Sequence, residues 1–211
     1  LSPGYYLPRI AYTEPDFARF HQTVKAAVET KTPMLYTLTW NDFGEDTDIA
    51  PSLNKGPQLL TVMRHYNAWF HAGKEPPVAE ESVILAYPVA HQAAMKTRSP
   101  DWAARDGRAA TGARWKAPEY TPKMFYWAKL KSPQRITVDG VGSAQLPAGV
   151  SMGVLGLIQA AGAVNARWND KVVALPPVAP DGGVENPRFR YVDLAHPPVL
   201  SAQRASASWV R

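Results

Sequence analysis

Apolar residues recur at helical spacing in two stretches near the N-terminal end of the chain. The first stretch is "TEPDFARFHQTVKAAVET", with apolar residues at Phe17, Phe20, Val24, Ala27 and Val28. Thr13 is placed as an N-cap and Pro15 falls in the first turn, as is common at helix starts. The second stretch, "PQLLTVMRHYNAWFHAG", begins with Pro57 and ends with Gly73. The pattern therefore predicts two amphipathic helices.

Between these helices lies a short run, Met34–Leu38, that is apolar or aromatic at most positions. Such a run is typical of a strand that is buried on both faces, as in a parallel sheet. A helix, a parallel-type strand, a polar loop and a second helix follow one another in this order. The sequence thus predicts a piece of an α/β fold over residues 1–76.

The pattern changes after Pro76 and Pro77, where a short linker is predicted. Beyond it, short strand candidates are separated by Gly, Pro, Asn and Asp: "VILAY", "KMFYWAKL", "QRITVDG", "GVSMGVLGLIQ", "DKVVAL" and "FRYVDL". Many short strands with frequent turns predict a β-sandwich over residues 77–211. The stretch from His91 to Pro122 has neither period. We expect it to pack Trp102 and Trp115 at a domain interface, with a stacking surface for glycans or single-stranded nucleic acid as the alternative.

The composition excludes several classes of protein. The chain has 211 residues, no cysteine, a formal net charge of +5, 45% hydrophobic residues and seven tryptophans. It is therefore neither disordered nor fibrous, and it holds no disulfide or zinc-thiolate site. No apolar run reaches the roughly 18 residues of a membrane helix. Because the positive charges are scattered, nucleic-acid binding is the least favoured alternative. No motif predicts a cofactor or a metal.

Candidate chemistry is concentrated in "TLTWNDFGEDTDIAP", where Trp40 and Asn41 precede four acids. These acids are Asp42, Glu45, Asp46 and Asp48. Asp42 and Glu45 are spaced so that both can face one cleft, and cleavage of a glycosidic bond commonly needs two such carboxyl groups. Trp40 offers a flat face for a sugar ring, and Asn41 can hydrogen-bond a hydroxyl. A solvated acidic loop and a calcium site are the alternatives, although the regular spacing of an EF-hand loop is missing.

The stretch "TWNDFGE" resembles the Trp-Asn-Asp-Tyr-Gly-Glu signature of the endo-α-1,3-glucanases (mutanases), glycoside hydrolase family 71. Phe43 stands where that signature has Tyr. The continuation "GEDTDIAPS" is similar to the related endo-α-mannosidase-type families, and "LSPGYY" is similar to a Ser-Pro loop one barrel unit earlier. The resemblance implies that the catalytic carboxylates are Asp42 and Glu45. The candidate substrate-binding residues are Trp40, Asn41, Asp46 and Tyr5.

The resemblance further implies a fold, a substrate class and a partner. It suggests a secreted or periplasmic glycosidase that cleaves a polysaccharide, in the first place an α-glucan. A (β/α)₈ barrel needs at least about 200 residues, so residues 1–76 can supply only its last units. We therefore expect terminal (β/α) units of a TIM-type barrel followed by a C-terminal β-sandwich. An upstream polypeptide segment would complete the barrel, and the chain could be inactive without it. The alternative is a non-catalytic carbohydrate-binding or structural β-sandwich module.

Overall fold

The computed structural model describes residues 5–7, 11–15, 17–37, 39–42, 47–52, 54–92, 122–181 and 189–197. These residues form two helices and eleven strands. In chain order the elements are β1 (Tyr5–Leu7), β2 (Ala11–Thr13), α1 (Phe17–Glu29), α2 (Gln58–Ala72), β3 (Ser82–Pro88), β4 (Ala90–Gln92), β5 (Lys123–Leu130), β6 (Gln134–Val138), β7 (Gly142–Leu146), β8 (Gly149–Leu157), β9 (Gly162–Trp168), β10 (Lys171–Asp181) and β11 (Phe189–Asp193).

The two helices confirm the periodic pattern of the sequence, but α1 begins only at Phe17. The predicted N-cap at Thr13 is wrong, because Thr13 pairs in β2 and Pro15 precedes the helix. Each buries one stripe of apolar side chains, which includes Phe17, Phe20 and Val24 on α1 and Leu59, Val62, Tyr66 and Trp69 on α2. Pro57 occupies the N-cap position of α2, and Gly73 ends this helix with a φ of 67°. Glycine is favoured there because residues with a side chain rarely adopt this left-handed backbone conformation. Among the described residues, no helix combines the length and hydropathy needed to cross a membrane.

Strands β3 to β11 form two stacked sheets. One sheet has the order β11-β3-β5-β8 and is antiparallel throughout. The other has the order β4-β10-β9-β6-β7, and its pair β4–β10 is parallel. Alternate side chains of both sheets, such as Val83, Leu85, Ile136 and Val164, meet in one hydrophobic cluster. This arrangement is a β-sandwich-like fold.

The helices form a third layer on the outer face of the four-stranded sheet. Ile84 of β3 and Trp127 of β5 share a second hydrophobic cluster with Phe20 of α1 and with Leu59 and Tyr66 of α2. As a consequence, all seven residues of β3 are buried, although its sheet is antiparallel. The predicted division of the chain near residue 76 stays a prediction, but the helices and the sheet are joined by this cluster.

The predicted TIM-type barrel units are wrong. In the described part of the chain there is no (β/α) unit, and both helices pack on an antiparallel sheet. The run Met34–Leu38, predicted to be a buried parallel strand, is not part of any strand where it is described. The side chains of Met34 and Tyr36 are 71% and 81% exposed. The physical reason is that an apolar run indicates only a tendency to be buried. The helices cover the antiparallel strand β3, whereas Met34 and Tyr36 are left exposed.

The strand predictions were more successful. The six predicted segments correspond to β3, β5, β6, β8, β10 and β11. The sequence did not predict β1, β2, β4, β7 and β9. The apolar residues of β7 and β9 are mostly small, so these two strands lack a strong alternating pattern. The excursion with Trp102 and Trp115 falls mainly on residues 93–121, which lie outside the described residues.

Candidate functional site

The acidic loop, residues 40–48, is closed at its base by hydrogen bonds. The Oγ1 atoms of Thr39 and Thr47 lie 2.7 Å apart. The N–H groups of Ile49 and Ala50 donate to the carbonyl oxygen of Trp40 at 3.1 Å and 2.8 Å. The two ends of the loop, at Thr39 and Trp40 and at Thr47 to Ala50, are therefore held side by side.

The first three candidate residues occupy the start of this loop. Trp40 is 60% exposed, Asn41 is also exposed and Asp42 is partly buried. An indole with an open face beside an amide and a carboxyl group is the kind of surface on which a sugar ring can stack and hydrogen-bond. Trp40, Asn41 and Asp42 are therefore consecutive residues at the start of the loop, with the first two exposed and the third partly buried.

The other candidate residues are not placed by the structure. Glu45 and Asp46 lie outside the described residues. Tyr5 belongs to β1, which pairs with β2 in a hairpin through Tyr5 and Thr13, and this hairpin is part of neither large sheet. Within the described ranges, no group of three or more His, Asp or Glu side chains could hold a metal ion.

Asp48, the last acid of the loop, is buried in an ion pair with Lys55. The two residues are only 2% and 1% exposed. Nζ of Lys55 lies 2.8 Å from Oδ1 of Asp48 and donates to its carbonyl oxygen at 3.2 Å. Asp48 is therefore engaged by Lys55 and is not presented to a calcium ion. The sequence analysis missed Lys55, because only the turn before α2 brings it to Asp48.

A cluster of aromatic and imidazole rings fills the space between the helices and β5. Nε1 of Trp127 donates to the hydroxyl of Tyr66 at 3.3 Å, and that hydroxyl lies 3.1 Å from Nδ1 of His21. Burial raises the pKa of Tyr66 far above its ordinary value and lowers the pKa of His21. The cluster therefore favours uncharged side chains and belongs to the core.

His65 is the most strongly perturbed member of this cluster. It is 5% exposed, and its Nε2 has no hydrogen-bond partner among the described residues. Burial, with smaller contributions from Lys129 and His21, lowers the pKa of His65 from 6.5 to about 4. Oε1 of Glu75 lies 3.5 Å from Nε2 and favours the protonated ring, but desolvation outweighs this attraction. His65 is thus a neutral core residue at pH 7.

A second polar surface lies on the solvent face of the five-stranded sheet. A groove of about 470 Å³ is lined by Pro133, Gln134, Arg135, Thr137, Arg167, Trp168, Asn169, Asp170, Lys171 and Val172. Arg135 and Thr137 alternate along β6 with the buried Ile136, so they point outward. Arg167 is fixed by Asp139, whose Oδ1 lies 2.6 Å from its Nη1. The groove therefore offers several hydrogen-bonding groups on a rigid sheet.

No protein-family model, no curated protein and no solved structure matches the chain.

Proposed function

We propose that this protein is a glycoside hydrolase that cleaves a polysaccharide, with an α-glucan as the first substrate to test. The proposal is carried by one observation, the exposed indole of Trp40 directly before Asn41 and Asp42 in a loop closed at its base. The resemblance of "TWNDFGE" to the mutanase signature supports the same function. The first of these supports does not depend on the barrel, which the structure contradicts.

In the proposed reaction, Asp42 and Glu45 divide the acid and base work. One carboxyl group protonates the departing glycosidic oxygen, and the other activates water or attacks the anomeric carbon. Trp40 stacks on a sugar ring and Asn41 hydrogen-bonds a hydroxyl or orients a carboxylate. Asp46 and Tyr5 are proposed as further contacts to the substrate.

Replacing the indole tests the proposed sugar platform. For Trp40→Ala we expect glucan binding to weaken at least about tenfold, because a stacked aromatic side chain is a common binding hot spot. The melting temperature should stay near that of the wild type, since the side chain is largely exposed. Affinity electrophoresis in glucan-containing gels and reducing-end assays measure the two effects.

The matched control is Tyr36→Ala, which removes another exposed aromatic residue from the same segment. It should bind glucan like the wild type. Equal binding by the Trp40→Ala variant and the wild type would remove the platform from the proposal. A wild-type chain that releases no reducing ends from any glucan of the panel would contradict hydrolysis.

A non-catalytic carbohydrate-binding β-sandwich is the second candidate function, and the groove beside Arg135 and Thr137 favours it. Polar side chains on a rigid sheet face, with Val172 as an apolar contact, suit the hydroxyl groups and the faces of a sugar. In this case the acidic loop would not contribute to binding.

The two functions predict opposite results for two variants. If the groove binds the glycan, Arg135→Ala combined with Thr137→Ala should abolish retardation in glucan-containing gels, while Trp40→Ala should be retarded like the wild type. Both groove residues point to solvent, so the double variant should fold normally. Retardation that depends on Trp40 and not on the groove contradicts the second candidate.

Two further expectations stay proposals. The contact with another polypeptide segment is supported by the high exposure of Met34 and Tyr36, because large exposed apolar side chains are typical of interaction surfaces. The secreted or periplasmic location is supported only by the proposed substrate, a polysaccharide outside the cell.

A further inference from the structure

The Lys55–Asp48 ion pair lies where the acidic loop meets the rest of the protein. Its Nζ–Oδ1 distance is 2.8 Å, and Nζ also donates to the main-chain carbonyl of Asp48. Lys55 therefore holds both the side chain and the backbone of one residue. A side chain that binds two acceptors of one residue restricts the position of that residue more than a surface ion pair does.

Lys55 is itself held in a tight turn before α2. Its N–H donates to Oγ of Ser52 at 3.2 Å, and the N–H of Gly56 donates to the carbonyl of Ser52 at 2.8 Å. The neighbouring residue Asn54 accepts a hydrogen bond from the N–H of Tyr191 in β11 at 3.1 Å. The turn that carries Lys55 is thus connected to the four-stranded sheet.

Asp48 in turn follows the residue that closes the loop. The hydroxyl groups of Thr47 and Thr39 are hydrogen-bonded to each other. The N–H groups of Ile49 and Ala50, which follow Asp48, donate to the carbonyl oxygen of Trp40. A shift of Asp48 would therefore move both ends of the loop. The contacts run without interruption from β11 through Asn54, Lys55 and Asp48 to Trp40.

Stability alone does not account for such a pair. The desolvation of two buried charges often cancels their attraction, and well-packed apolar replacements of a complete pair are commonly neutral or stabilising. We propose that Lys55 is a positioning residue, which holds the acidic loop so that Trp40, Asn41 and Asp42 face the glycan. The part of this inference that concerns glycan binding rests on the proposed function. The part that concerns the position of the loop rests only on the contacts of Lys55 and Asp48.

The test is the double variant Asp48→Leu with Lys55→Met, which removes both charges and keeps the general shape of each side chain. We expect its melting temperature to equal or exceed that of the wild type. Amide hydrogen exchange at Thr39, Ile49 and Ala50, whose N–H groups close the base of the loop, should accelerate at least tenfold, because the loop loses its anchor. The kcat/KM for glucan should fall at least tenfold. The single variant Lys55→Met leaves a buried charge without its partner and should melt at a lower temperature.

The control is the pair Glu14 and Lys123, whose charged atoms lie 3.1 Å apart in a partly exposed ion pair. Glu14→Leu with Lys123→Met should leave exchange in the acidic loop unchanged. Unchanged loop exchange in the Asp48→Leu, Lys55→Met variant overturns the inference. A lower melting temperature with faster exchange throughout the protein also overturns it, since the pair would then be structural. Faster loop exchange in a protein that neither binds nor cleaves glucan supports the positioning and contradicts the proposed function.

Discussion

Asp42→Asn and Glu45→Gln are each expected to reduce the kcat for glucan hydrolysis about 10²- to 10⁴-fold. The reason is that each change removes a group that transfers a proton in the transition state or attacks the anomeric carbon, while the shape of the side chain is kept. Asp42 is partly buried at the start of the loop, beside the exposed Trp40. Reducing-end assays measure turnover, and circular dichroism with a thermal melt measures folding.

Glu80→Gln is the matched control for these variants. Glu80 is an exposed carboxylate shortly before β3, so its amide variant should keep full activity. Both catalytic variants should unfold at the temperature of the wild type. The thermal melt is needed because a folding defect would also lower turnover. Near-normal turnover in both would remove the catalytic assignment and leave the acids as a binding or surface feature.

Acidification from pH 7 to pH 4.5 is expected to destabilise the protein through His65. In the folded state the pKa of His65 is about 4, below the ordinary value of 6.5. Between pH 6.5 and about 4, the unfolded chain therefore binds a proton at His65 that the folded chain does not bind. The stabilisation is complete above pH 6.5, and it is lost progressively as the pH falls towards 4. A pKa lowered from 6.5 to about 4 corresponds to about 3 kcal/mol of unfolding free energy.

Urea denaturation at several pH values measures this effect. His65→Leu, which is apolar and does not titrate, should lose clearly less unfolding free energy than the wild type over the same range. His71 lies near the end of α2 on the exposed side, so His71→Gln should retain the pH dependence of the wild type. An undiminished dependence in His65→Leu would mean that other groups, such as His21 or buried carboxylates, are responsible.

Local patterns in the sequence predicted the helices and most strands correctly. The stripe Phe17, Phe20 and Val24 predicted α1 because helical spacing is a local property. Most sandwich strands were recognised for the same reason. The acidic loop was recognised because Trp40, Asn41 and Asp42 are adjacent in the chain, so no knowledge of the fold was needed to place them together.

The barrel prediction failed where a local pattern has two tertiary solutions. Met34–Leu38 and β3 are both strongly apolar, yet only β3 is buried on both faces, since α1 and α2 cover its sheet on one side. Tyr36, in contrast, is 81% exposed. Apolar composition reports the tendency to be buried, and it does not report which element provides the cover.

By itself, the sequence determined the two helices, most strands of the sandwich and the position of the acidic loop in the chain, because these depend on spacing between near neighbours. The tertiary structure alone decided that the helices cover an antiparallel sheet, that His65 is kept neutral in the core and that Lys55 holds Asp48. Each of these depends on residues that are distant in the chain or on the folding of a turn. Burial and ion pairing arise only when the folded chain brings such groups together and removes them from water.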